Sequence, residues 1–172
     1  MKRKIIVALM ILISFLLQST VFKALAIGSI SPNLLVVLTS SFGFMRGKKE
    51  GLIIGFACGL LKDILGGELL GFYAMIYMVI GYCNGFFRRV FYDEDIKLPI
   101  ALIAASEFIY SLLIYVFMFM LQSDFHFLHY LGHIIIPELV YTLVVTLALY
   151  QVILHINRRL EEEEKGSASK FV

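Results

Sequence analysis

Four ionisable residues, Lys62, Asp63, Glu107 and Glu138, stand in stretches that are otherwise apolar. Placing charge at membrane depth costs on the order of 3 kcal/mol or more, so such residues are functional candidates by default. Glu107 lies eight residues beyond Pro99, and Glu138 lies seven residues beyond Leu131. At about 1.5 Å per helical residue these offsets put the carboxyls roughly 12 Å and 10 Å below opposite membrane surfaces. In a hydrocarbon core of about 30 Å, roughly 8 Å then separates them along the membrane normal, too far for a direct catalytic dyad. Glu138 leads a polar stripe, with Thr142, Thr146 and Tyr150 following at i+4 steps, and Glu107 shares a face with Tyr110 and Ser111. Both stripes are expected to look into a helix bundle or a polar cavity. Three readings stay open: hydrogen bonding between helices by protonated carboxyls, contact with a partner helix, and a small-molecule or proton site.

Asp124, His126, His129 and His133 cluster between two apolar runs. His129 and His133 are spaced i, i+4 and His126 precedes them by about a turn, so a helix would present all three on one side, as a metal requires. An interfacial or pH-responsive role fits the same residues, and no metal or cofactor is assigned. No HExxH, GxSxG, P-loop or GxGD pattern is present. Asp63 has no second aspartate to work with, so no enzyme activity is predicted. Cys58 and Cys83 are isolated within apolar runs and read as small hydrophobes.

The elements that carry these residues follow from composition. Of 172 residues, 60% are hydrophobic and 16% charged. Soluble domains run nearer 45–50% apolar and about 25% charged, so a soluble or disordered chain is excluded. Six segments of roughly 20 residues would cross a bilayer six times and leave no room for a second domain. The expected crossings are 5–27, 32–46, 48–65, 69–87, 99–121 and 131–156, forming one domain over 1–156, with 157–172 as a charged tail. Ala24-Leu25-Ala26 has the form of a signal cleavage site, but the first run is long enough to span, and a retained helix is expected. Ser31-Pro32 opens the short second helix, and Pro137 is expected to kink the sixth near its start. In the tail, Glu161–Glu164 are able to prolong the last helix through i, i+4 pairs, whereas Gly166–Lys170 are expected to be disordered.

Alternation of six crossings puts thirteen of the fifteen basic residues on one side and only Lys23 and Lys62 on the other. By the positive-inside rule both termini are cytoplasmic, and the net charge of +2 conceals the asymmetry. Arg88 and Arg89 read as headgroup anchors, followed by an acidic Asp93-Glu94-Asp95 loop. No nucleic-acid partner is expected; the surroundings are the lipid bilayer.

Gly51, Gly55 and Gly59 share one helix face, and Gly67/Gly71 and Gly81/Gly85 repeat the four-residue step. Small residues so spaced let helix backbones approach closely in lipid. Packing within the chain and a homodimer or partner surface are both compatible with the pattern. Between these helices lies GLLKDILGGELLG, in which Asp63 is expected to cap the turn and Lys62 to snorkel to the interface, or the turn as a whole to serve as a docking element.

Taken in order, LLQST with Gln18, SPNLLVV, the GxxxG repeat, GLLKDILGG and LGFYAMIYMVIGYCNG resemble the MreD family of rod-shape-determining proteins. The resemblance covers nearly all of 1–156 and is strongest over Gly55–Gly85. One departure is Asn33, where members often carry aspartate after the proline. The resemblance implies an all-α integral membrane protein, a six-helix bundle similar to the substrate-binding component of energy-coupling-factor transporters. It further implies a non-catalytic component of the bacterial cell-elongation machinery that binds MreC. Through MreC it would reach MreB filaments and the glycosyltransferase and transpeptidase pair that builds lateral wall peptidoglycan. The alternative is the substrate-binding subunit of an energy-coupling-factor vitamin transporter. Such subunits dock through small residues spaced i, i+4 in the first helix, where this chain has Ala8, Leu12 and Leu16.

Overall fold

A computed structural model describes residues 2–26, 30–66, 69–91, 96–119 and 130–168. Within them the chain is helical, in six rods. Helix α1 runs Lys2–Leu16 and continues through a π-helical turn, Leu17–Val21, to Ala24. Helix α2 is Leu34–Arg46, α3 is Lys48–Gly66, and α4 is Phe72–Asn84 with a 3-10 turn, Gly85–Arg89, at its end. Helix α5 is Lys97–Ile114 followed by a π-helical turn, Tyr115–Phe119. Helix α6 opens with the π-helical turn Leu131–Ile135 and runs Ile136–Ala168.

Three of these rods, Arg3–Ala24, Lys97–Phe117 and Leu131–Glu163, are long and apolar enough to cross a membrane. Their outer faces carry the expected apolar surface. Ile5, Leu9, Leu12, Ile13 and Leu16 of α1 are exposed, as are Ile136, Val140, Val144 and Leu147 of α6. In water such a surface would drive association, whereas against lipid tails it costs nothing. On the opposite side of α6, Thr142, Thr146, Tyr150, Ile153 and Asn157 are all buried.

The short helix α2 is the core of the bundle. Every residue from Leu34 to Met45 is buried, and the helix touches α1, α3, α4, α5 and α6. A helix that is apolar or small on all sides is suited to that position. It begins two residues later than Ser31-Pro32 suggested. Asn33 is the N-cap, its Oδ1 accepting the Val36 N–H at 3.4 Å, so Pro32 stands outside the helix.

Where the sequence places a kink, the π-helical turn Leu131–Ile135 ends one residue before the helix reaches Pro137, which has no N–H to donate. One other expectation is revised. Gly166–Ala168, expected to be disordered, continue α6, because the acidic run Glu161–Glu164 carries the helix past the apolar segment.

Candidate functional site

A seam of glycines fixes the positions of α2, α3 and α4. A β-carbon on Gly51 would collide with the Gly81 carbonyl and lie 2.8 Å from the Gly43 Cα. A β-carbon on Gly81 would collide with the Gly51 carbonyl in return. Farther along α3, Gly55 packs on the Tyr77 backbone and Gly59 on the Ala74 backbone; at the far end of α4, Gly85 packs on Lys48. The four-residue step also extends upstream through Gly47 and Gly43, which sequence reading passed over. Gly43 meets the Gly81 carbonyl and Asn84 Cβ, each at 2.8 Å from its own added β-carbon. Gly71 has a different place. It precedes α4, so it lies off the helix face; its φ of +98° makes it the left-handed turn residue, with open space where a β-carbon would be. Gly67 lies outside the described residues.

The turn that Gly71 completes is held by Asp63. The carboxylate accepts N–H groups from Gly71 at 3.0 Å, Tyr73 at 2.9 Å and Ala74 at 2.9 Å. These donors are the unpaired N–H groups at the start of α4, where a negative charge also meets the positive end of the helix dipole. Asp63 is itself 3% exposed, so the full strength of these bonds is felt.

Lys62, expected to snorkel outward, turns inward. Its ammonium hydrogen-bonds the Tyr110 hydroxyl and lies 4.7 Å from the Tyr73 ring centroid and 4.9 Å from that of Tyr110, with Tyr77 at 5.9 Å. Three tyrosine faces around an ammonium offset part of its desolvation, which is why the chain tolerates the cation inside. The signal was present in Tyr73 and Tyr77, spaced i, i+4, but tyrosines at that spacing also read as ordinary core.

Asn33 ties four elements together. Its Oδ1 accepts the Tyr77 hydroxyl at 2.8 Å and the Gln18 amide at 3.5 Å, and its backbone N–H donates to Thr142 Oγ1 at 3.1 Å. Gln18 Oε1 also accepts the Leu35 N–H at 3.3 Å. Gln18 reaches these partners from the π-helical turn of α1, whose extra residue shifts the register of the side chain toward α2.

Glu107 faces Asn33 in the centre of this network, 1% exposed, and both its carboxyl oxygens and the Asn33 Nδ2 are buried outside hydrogen-bond geometry with any described residue. Glu138 accepts from the Ser111 hydroxyl at 3.5 Å. Lys62, Glu107 and Glu138 lie within electrostatic reach of one another, but no hydrogen bond joins the two carboxyls. Between α1 and the end of α3 a cavity of about 620 Å³ is lined by Gln18, Ser19, Lys23, Ser31 and Lys62.

Of the histidine cluster, His133 is exposed in the π-helical turn of α6, and Asp124, His126 and His129 lie outside the described residues. Among the described residues no three His, Cys, Asp or Glu side chains come together to hold a metal.

Fully buried α2, backbone-to-backbone glycine contacts and apolar outer faces define a helical membrane protein with a polar interior. The network is shaped for holding helices together. A family model described as rod shape-determining protein MreD matches residues 2–159. The chain belongs to the MreD family, and its role is in determining rod cell shape. No curated protein and no solved structure matches the chain.

Proposed function

We propose that this chain is a non-catalytic membrane scaffold of cell shape and lateral wall elongation, acting by binding MreC and linking it to the elongation machinery. The observation that carries the reading is the family match over nearly the whole helical region. The interior supports it. Asp63 accepts only backbone N–H groups, and Asn33 Oδ1 and Gln18 bind each other, the Tyr77 hydroxyl and the backbone of α2, as residues that fix helix positions do. With so little chain outside the helices, a partner is met by helix faces and short turns, and the exposed apolar face of α1 offers one such surface.

In this reading all six rods cross the membrane and both termini are cytoplasmic. Ion pairing supports the shared sidedness of the basic ends. Arg3 pairs with Glu50, and Arg46 binds Asn157 at 2.6 Å and Glu161 at 3.8 Å. Those contacts bring the start of α1, the α2–α3 turn and the end of α6 to one end of the bundle. Lys62 and the Asp63 turn lie at the other end of α3.

A solute-binding subunit of an energy-coupling-factor transporter is the second reading, and the 620 Å³ cavity beside Gln18 and Lys62 favours it. Affinity purification of the full chain from native membranes separates the two: the scaffold brings down MreC, and the transporter subunit brings down an ATPase-bearing complex.

A further inference from the structure

The basic end of the bundle holds a concavity of about 610 Å³, lined by Arg46 at the end of α2, Lys48 and Lys49 at the start of α3, and Arg88 and Arg89 after α4. Among the described lining residues Glu50 is the one acid, and it is engaged by Arg3, while Arg46 is engaged by Asn157 and Glu161. The Lys48 ammonium lies 3.5 Å from the Phe86 ring centroid. Lys49, Arg88 and Arg89 make no hydrogen bond or ion pair with a described residue. The backbone forces these cations together. Gly47, at φ +100°, makes a one-residue turn between α2 and α3, and Gly85 packs against Lys48, so the three segments cannot spread apart. The N-terminus of the 19-residue α3 adds its own partial positive charge. Like charges held this way call for an anion.

A second concavity, of about 300 Å³, runs between α1 and α3. It is basic at Arg3 and Lys4 and apolar along Val7, Ile11, Ile53 and Ala57. Glu50 lines both concavities, so a basic pocket and an apolar groove meet at one residue. A free anion would use only the first. We propose that this end of the bundle is a specific site for an anionic phospholipid, with the phosphodiester among Lys49, Arg88 and Arg89 and an acyl chain along the α1–α3 groove. The site is independent of the partner reading and more specific than a general headgroup anchor, because it predicts one retained lipid of defined charge.

Native mass spectrometry of the full chain, purified in neutral detergent, tests it with phosphatidylglycerol and phosphatidylcholine of identical acyl chains. One phosphatidylglycerol is expected to be retained at least about tenfold in preference to phosphatidylcholine. Each Lys or Arg near an anionic lipid surface contributes on the order of fivefold in affinity. The K49Q/R88Q/R89Q variant should therefore lose the preference, while R159Q/K165Q/K170Q, which removes equal charge elsewhere, should keep it. Equal retention of the two lipids by the unaltered chain would overturn the site without recourse to any variant. Loss of preference in both triple variants would reduce it to bulk charge and overturn it as well. Displacement of phosphatidylglycerol by an equal concentration of inorganic phosphate would overturn the assignment of a lipid.

Discussion

Gly51 and Gly81 exclude each other's β-carbons: the carbonyl oxygen of each stands where the side chain of the other would begin. This reciprocal contact sets the distance between α3 and α4, and Gly43 brings α2 onto the same point. Close packing of this kind joins helices by contact between their backbones, the means available to membrane proteins where water supplies no driving force.

Leucine at Gly55 or Gly59 should therefore separate α3 from α4. Both positions meet backbone atoms, which cannot rotate away as a side chain would. Overpacking costs about 1–3 kcal/mol even where side chains can adjust, so these substitutions should reach or exceed that range. Gly132→Ala, where a β-carbon meets nothing within 4 Å, should be mild by comparison. Thermal unfolding in detergent reads the contrast, and equal loss at all three positions would contradict it.

Asp63→Ala should be among the most disruptive single changes outside the seam. It leaves three N–H groups at the start of α4 without their acceptor. Removing an ordinary N-cap costs about 0.5–2 kcal/mol, and three bonds to a buried charge place this case at or above the upper end. The expected result is a lowered melting temperature; an unchanged one would refute the capping role.

Lys62→Met should be neutral or stabilising, because it exchanges a cation whose desolvation the tyrosine faces and the Tyr110 bond offset only in part for an apolar side chain of similar length. A loss of stability of about 1–2 kcal/mol would mean that the cage more than offsets the burial of the charge.

Glu107 and Glu138 are separable by conservative substitution. Glu107→Gln and Glu138→Gln keep shape and hydrogen-bonding capacity, and the scaffold reading predicts mild effects on stability and on partner recovery. Because the Glu107 oxygens lie outside hydrogen-bond geometry with the described residues, Glu107→Leu should cost less stability than Asp63→Ala, whose carboxylate accepts three N–H groups. A variant that folds normally and loses its partner would instead demand the carboxylate.

Much of this architecture was legible in the residues. The four-residue step at Gly51, Gly55, Gly59, Gly81 and Gly85 announced a close helix contact, because glycine at that spacing has few other uses in an apolar run. Asp63 beside a glycine-rich reversal pointed to a turn cap. The centrality of α2 was not legible. The expected second helix, 32–46, is short for a span, and length alone does not tell a buried helix from a short crossing. Asn33 registered as a missing charge, whereas its amide is the junction of Gln18, Tyr77 and Val36. Such a junction depends on three elements far apart in sequence and leaves no periodic trace. The inward turn of Lys62 was hidden for a related reason: its cage is assembled from α4 and α5.

The proposed scaffold serves the elongation machinery by binding MreC, and affinity purification of the full chain from native membranes in a mild detergent, with quantitative identification of what is retained, is the decisive experiment. MreC is expected in near-equal amount to the bait. Recovery of a transporter ATPase in its place, with MreC at the level of an untagged control, would contradict it.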